Sequence, residues 1–367
     1  TTFIVSSLCA LTMPAGIAAL AFAGLLTARV EDYAAAVLAG GVAVGIGTIA
    51  ARAVYGAGGQ IAAARTVGSY ELVELIGRGG AGEVWKARHL LLARPAAVKL
   101  MLPENLQGPR EQRETALRRF THEAQVTADL SSPHTVALYD FGVSADSAFY
   151  YVMELLKGSN LQHFIYRYGA VEPRRAVHWL QQACHSLGEA HARGLIHRDL
   201  KPSNIFLCCR GRDLDFVKVL DFGLSKPAAE QRSPGLTREG LKMGTPGYMA
   251  PEQVYGLPVG PTTDLYALGC VAYWLLAGAT PFEAEDPGEL LRMHAQAPPP
   301  LLSKRAPRPI PARLETLVMA CLAKEPADRP QDADRLRADL IASIDGSPWS
   351  PADANAWWAQ HPGEAEA

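Results

Sequence analysis

The chain has 367 residues, enough for two or three units of roughly 150 residues each. Its 35 basic and 37 acidic residues nearly cancel to a net charge of −2, so the balance predicts no polyanion partner such as nucleic acid. The six cysteines (Cys9, Cys184, Cys208, Cys209, Cys270, Cys321) lack the spacing of zinc ligands, and unpaired, reduced thiols are expected.

In chain order, residues 1–28 carry no charge, Arg29, Glu31 and Asp32 interrupt, and residues 33–51 are again uncharged. A helix of about 20 mainly apolar residues crosses a bilayer, and both segments qualify. Gly41, Gly45 and Gly47 suit close helix contact in lipid. A transmembrane hairpin over residues 1–52 is expected, ahead of a pair of buried soluble helices or a cleaved leader. Arg52 and Arg65 follow the second segment, so positive residues place everything after 52 on the cytoplasmic side. Residues 53–69 read as a juxtamembrane linker.

Residues 70–76 are rich in branched side chains, a strand signal. Next comes Gly77-Arg78-Gly79-Gly80-Ala81-Gly82-Glu83-Val84, whose glycines at 77, 79 and 82 match G-x-G-x-x-G. Without side chains the backbone there can fold over a phosphate chain and point amides at its oxygens. A further strand over 84–87 follows, not the helix a dinucleotide-binding fold needs. Residues 96–100 set Lys99 between apolar neighbours, Ala97 among them. Residues 110–130 have helical periodicity, with Leu117, Phe120, Ala124 and Ala128 on one side, Glu123 within the helix, and arginines mixed with glutamates on a solvated face. Residues 150–156 read as a buried strand running through Met153 and Glu154 into a connection at Leu156. A long helical pattern over 174–193 stops at Gly194.

Then comes His197-Arg198-Asp199-Leu200-Lys201-Pro202-Ser203-Asn204, with Asp221-Phe222-Gly223 beginning seventeen residues after Asn204. Polar residues held between apolar runs predict a loop pinned to a core, its charges aimed into a cleft. Residues 244–252, Gly-Thr-Pro-Gly-Tyr-Met-Ala-Pro-Glu, close the segment that Asp221 opens. Residues 262–276 are apolar nearly all round, as in a buried central helix. A proline-rich connection over 298–311 and helical patterning to 344 follow. The tail, 345–367, holds Trp349, Trp357 and Trp358, and nothing in the sequence assigns it a role.

Together these strings resemble a protein kinase, in the eukaryotic-like (Hanks-type) Ser/Thr form found in bacteria. The resemblance covers about residues 70–344. It implies an α+β, bilobal fold: a small β-rich N-lobe with one main helix (70–157) and a larger α-helical C-lobe (158–344), here preceded by two predicted transmembrane helices. It implies that ATP lies under Gly77, Arg78, Gly79, Gly80, Ala81, Gly82, Glu83 and Val84, with Ala97 and the gatekeeper Met153 beside adenine and the backbone from Glu154 to Leu156 bonding it. Lys99 would grip the phosphates and pair with Glu123. Asp199 would deprotonate the substrate hydroxyl, Lys201 would offset the charge of the moving phosphate, and Thr245 would bridge the two. Asn204 and Asp221 would hold Mg²⁺ as hard oxygen ligands. Asp264 would tie down the catalytic loop, and Arg329 would pair with Glu252. Thr237, then Ser233, are the expected autophosphorylation sites, with Arg198 in the basic pocket that receives the phosphate. The partners implied are proteins with Ser or Thr acceptors, the cytoplasmic membrane, and a second copy of the chain for phosphorylation in trans. A pseudokinase scaffold and a small-molecule phosphotransferase of similar fold remain as alternatives.

Overall fold

The structure is a computed structural model that describes residues 66–79, 82–92, 94–101, 110–144, 148–210, 213–222 and 246–361. Contacts divide the chain into two units, Thr1–Thr66 and Val67–Ala367, and the fold below is that of the second. The uncharged segments 1–28 and 33–51 lie outside the described residues. Among the described residues, no helix is long and apolar enough to cross a membrane.

The smaller lobe is a six-stranded sheet of β1 (Thr66–Val67), β2 (Tyr70–Gly79), β3 (Gly82–His89), β4 (Pro95–Met101), β5 (Leu138–Val143) and β6 (Phe149–Glu154), in the order β1-β2-β3-β4-β6-β5. Successive strand side chains point to opposite faces. On β4 this sends Ala96, Val98 and Leu100 into one apolar cluster and Ala97 and Met101 into another, so Lys99 falls on the second face. That second face is covered by α1 (Arg110–Ala128), which buries Phe120, Ala124 and Thr127. The stripe expected from sequence is corrected here: Leu117, midway along α1, and Ala128, at its end, are exposed, because the buried face runs through Phe120, Ala124 and Thr127 and leaves both to one side of it.

The larger lobe is helical. It is built on α2 (Leu161–Tyr168), α3 (Pro173–Ala192), α4 (Pro251–Val254), α5 (Pro261–Ala277), α6 (Pro287–Gln296), α7 (Ala312–Cys321), α8 (Ala333–Ala342) and α9 (Pro351–Ala359). Pro173 pre-sets the first turn of α3, and Gly194 takes φ 74° just past its end, a conformation that glycine adopts without strain. α5 is buried from Thr263 to Leu276 and packs against α3 and α7. A three-stranded sheet, β7 (Gly158–Asn160), β8 (Ile205–Arg210) and β9 (Asp213–Val219), lies on this lobe in sequence order. At Gly158 a Cβ would stand 2.0 Å from the Leu207 carbonyl oxygen, so β7 and β8 approach as closely as they do only because that residue is glycine. The five described cysteines form no disulfide with one another.

The tail to which the sequence assigned no role is packed into this lobe. Trp349 and Trp358 are buried, and their indole N–H groups donate to Asp215 Oδ2 at 2.9 Å and Oδ1 at 2.8 Å. The same carboxylate takes two bonds of 2.7 Å from Arg175 of α3. The Arg175 guanidinium lies 3.9 Å from the ring centre of Trp357.

Candidate active site

Strand alternation and register build the first half of the site. Lys99 on β4 stands opposite Tyr151 on β6, and both side chains lie on the face covered by α1. From there Lys99 Nζ reaches Asp221 Oδ2 at 2.7 Å, and the Tyr151 hydroxyl donates to Asp221 Oδ1. Lys99 is only 6 % exposed and Tyr151 1 %. Burial pushes the Asp221 carboxyl upward, but Lys99 and the hydrogen bonds outweigh it, so its pKa is lowered and it stays ionised. Burial first, then Asp221, raises the Tyr151 phenol well above its ordinary value, which keeps it a donor.

The glycine hairpin roofs this face. Gly77 pairs with Val84 and Gly79 with Gly82. Gly82 takes φ 149°, and a Cβ there would sit 1.9 Å from the Leu100 carbonyl oxygen, so the turn closes on β4 only with glycine. Arg78 and Glu83 pair across the hairpin at 2.5 Å. Gly80 and Ala81 lie outside the described residues. Val84, Ala97, Met153, Leu155 and Leu220 share one apolar cluster, and Ala97 stands opposite Met153 in register. Apolar side chains gathered there suit contact with a planar base. The Glu154 N–H is already bonded to the Ala137 carbonyl at 3.0 Å, and its carboxylate pairs with Lys218 at 2.5 Å. Of the expected adenine-bonding backbone, that N–H is committed within the protein.

The catalytic loop is fixed from below. Asp264, at the first turn of α5, accepts from the backbone N–H of both His197 and Arg198 at 2.8 Å, and its Oδ2 also meets His191 Nε2 at 2.8 Å. Arg198 has a left-handed backbone, φ 64°, unusual for a residue with a side chain. Its N–H is held by Asp264 and its carbonyl by Gln253 Nε2 at 2.9 Å, so the strained turn is clamped on both sides. His197 is fully buried, bonds the Leu220 carbonyl at 2.8 Å and packs on Phe222. This clamp holds Asp199 beside Lys201, at 2.8 Å. Asn204 donates its amide to the Asp199 carbonyl at 2.9 Å, which orients its side-chain oxygen away from that bond.

Lys99 on β4, Asp199, Lys201 and Asn204 on the loop, and Asp221 past β9 are thus carried on three segments, tied by the Lys99–Asp221 pair and by the Leu220 N–H, which donates to the Asn204 carbonyl at 2.8 Å. Glu123 stands differently from the sequence expectation. Lys99 pairs with Asp221, and Glu123 on α1 lies 3.8 Å from Arg198 instead. Thr245, Thr237 and Ser233 lie outside the described residues. Arg329 makes a two-pronged pair with Glu252, both contacts 2.8 Å, and Thr263 adds a 2.6 Å bond to the same carboxylate. Sequence reasoning missed Tyr151, Gln253 and His191. The first could have been found from its register with Lys99, whereas the other two give no local signal.

A carboxylate has about four lone-pair positions. Asp221 receives two donors among the described residues, Lys99 and Tyr151, which leaves room for a cation; a carboxylate and a carboxamide oxygen are the ligands Mg²⁺ takes beside phosphates and water. No group of three or more His, Cys, Asp or Glu capable of holding a metal stands among the described residues, so a self-sufficient protein cage is not what the site offers there.

Comparison with known proteins decides the family. The model of the protein kinase domain matches residues 70–341. The chain belongs to the protein kinase family. It is 36 % identical over 306 residues to the serine/threonine-protein kinase pkn3 of Myxococcus xanthus, covering 81 % of this chain and 55 % of that one. It is likewise 36 % identical over 282 residues to serine/threonine-protein kinase PknB of Mycobacterium tuberculosis, covering 76 % of this chain and 43 % of the other. The chain thus spans about half the length of these curated relatives. The crystal structure of the Mycobacterium tuberculosis PknI kinase domain superposes with a TM-score of 0.59 at 28 % identity, covering 77 % of this chain and 98 % of that one.

Proposed function

We propose that this kinase-family chain is an active Ser/Thr protein kinase that moves the γ-phosphate of Mg-ATP to protein hydroxyls. The observation that carries the reading is the Asp199–Lys201 pair at 2.8 Å, on a loop whose turn at Arg198 is clamped on both sides by Asp264 and Gln253. Phosphoryl transfer is loose in its transition state, so positioning and charge neutralisation supply most of the catalysis. Asp199 accepts the proton of the incoming hydroxyl. Lys201 offsets charge on the moving phosphate, and Lys99 holds the phosphates that stay. Asn204 and Asp221 would hold Mg²⁺, which would supply charge neutralisation for the phosphates. The full set of polar residues disfavours a pseudokinase scaffold, and the 244–252 string, a protein-docking segment by resemblance, disfavours a small-molecule acceptor.

The arrangement of ion pairs supports control by the segment 223–245. Glu123 is with Arg198 and Lys99 with Asp221. A phosphate at Thr237 or Ser233 carries nearly two charges and competes with Glu123 for Arg198. With Arg198 taken up by the phosphate, Glu123 would turn toward Lys99, which loosens the hold on Asp221. Autophosphorylation at Thr237, with Ser233 second, in cis or between two copies, is the proposed trigger. Residues 1–52 are proposed as a membrane hairpin that leaves the kinase domain in the cytoplasm.

The test is incubation of the purified chain with γ-labelled ATP, Mg²⁺ and a generic protein acceptor, followed by phosphoamino-acid analysis. Label on serine and threonine supports the reading; ATP binding without transfer favours the scaffold. Full activity in a Thr237→Ala, Ser233→Ala double variant would defeat the trigger.

A further inference from the structure

A cavity of about 370 Å³ lies between α3, β9, α8 and the start of α9, and none of the residues placed in the active site lines it. Leu214, Phe216 and Ala354 stand on its apolar side, His134, Gln181 and Arg337 on its polar side. Arg337 is the residue that needs a ligand. Among the described residues its guanidinium makes no hydrogen bond and no ion pair, and its Nε is buried without a partner. A buried N–H left unmet is costly, and native folds retain few of them.

The carboxylates nearby do not meet that need. Asp215, in the cavity wall, already takes its four donors from Arg175, Trp349 and Trp358. Asp213, also in the wall, is exposed, and Asp334 lies in the first turn of α8; neither pairs with Arg337. The positive field of Arg337 is felt across the cavity: burial above all, with Lys218 and Arg337 among the charges that add to it, lowers His134 to about 4. A guanidinium presents five N–H donors in a flat fork that matches a carboxylate or a phosphate. Size narrows the choice further. A water molecule or a bare inorganic ion would leave most of the space empty, whereas a small organic molecule fits a space of this order and uses the apolar side as well.

We propose that this cavity binds a small organic anion, its carboxylate or phosphate on Arg337 and its apolar body against Leu214, Phe216 and Ala354. Bound there, the ligand bridges α8, β9 and the start of α9, outside the nucleotide cleft, so the site stands apart from the phosphoryl-transfer reading. The test is isothermal titration of the full chain with benzoate and with phenyl phosphate, under excess Mg-ADP so that the nucleotide cleft is filled. Benzamide, which lacks the charge, and inorganic phosphate, which lacks the body, are the controls. At least one of the two organic anions should bind about 10-fold more tightly than either control, and which one binds names the head group. Arg337→Gln should weaken that binding about 10-fold or more. Because the Arg337 guanidinium bonds to nothing in the fold, its Tm should stay near that of the wild type. Gln181→Trp, which fills the cavity and leaves the guanidinium in place, should abolish binding, and it decides the matter alone if the arginine variant does not fold. Binding that survives the substitutions, or benzamide bound as tightly as benzoate, overturns the inference. No heat from either organic anion gives Arg337 to solvent and overturns it too.

Discussion

Two aspartates, Asp215 within β9 and Asp221 just past its end, share nearly the same backbone, φ 59° and 58°, and each pairs with a cation brought from far along the chain. They differ in how completely they are satisfied. Asp215 receives four donors, two from Arg175 and one each from Trp349 and Trp358, one for each lone-pair position of a carboxylate. Asp221 receives two among the described residues. The first is closed and serves the fold; the second has capacity left over. The partners differ in kind as well: guanidinium and indole only donate, whereas the Tyr151 hydroxyl can also accept. Chemically similar buried pairs therefore part into structure and function by the count and type of donors around them.

Replacing each aspartate by asparagine separates the two most sharply. Asp221→Asn should lower phosphoryl transfer by about 10³-fold or more in a rate assay, because the charge that holds the metal is gone. Its stability should fall less than that of the other variant: the new amide can offer oxygen to Lys99 and N–H to the Tyr151 hydroxyl, and the Asp221 side chain is 17 % exposed where that of Asp215 is 0 %. Asp215→Asn should do the reverse. Its NH₂ would face donors only and leave Arg175 buried without its counter-charge, a loss of about 3–5 kcal/mol, read as a large drop in Tm with near-normal rate per folded molecule. Equal stability losses in the two variants would break the comparison.

A smaller change sharpens it. Trp358→Phe keeps the ring but removes one of the four donors to Asp215, and should cost about 1 kcal/mol in denaturant unfolding. No loss would mean that the tail covers the pair without supporting it.

Asp221 and its surroundings were legible in the sequence because the catalytic residues sit in short strings of fixed spacing, and strand alternation then places Lys99. Asp215 was not legible. Its partners come from α3, forty residues earlier, and from Trp349 and Trp358, more than a hundred residues later, and no local pattern links them. The same reason hid Gln253 and His191. The stripe on α1 was misjudged because apolar spacing gives a face only roughly: Thr127 lies on the buried side, and Leu117 and Ala128 fall beside it. The Glu123 pairing was implied by resemblance alone, and the side chain instead stands with Arg198.

A separate prediction is the pH dependence that remains when these ion pairs are set aside. Burial lowers His134 and His294 from 6.5 to about 4, so both stay neutral in the fold while their unfolded forms take up protons. Their depressed values stabilise the fold above pH 6.5, and this is lost as pH falls from there toward 4. Tm should therefore decline across that window, and His134→Gln with His294→Gln should flatten the slope. An unchanged slope would assign the acid sensitivity to other groups.

The most direct measurement is the rate of γ-phosphate transfer from Mg-ATP by the wild-type chain beside Asp199→Asn, at matched folded concentration. The account predicts clear transfer to serine or threonine by the wild type, and a fall of about 10²-fold or more in the variant, with ATP binding retained. Equal transfer by both, or none by either despite bound ATP, would contradict it.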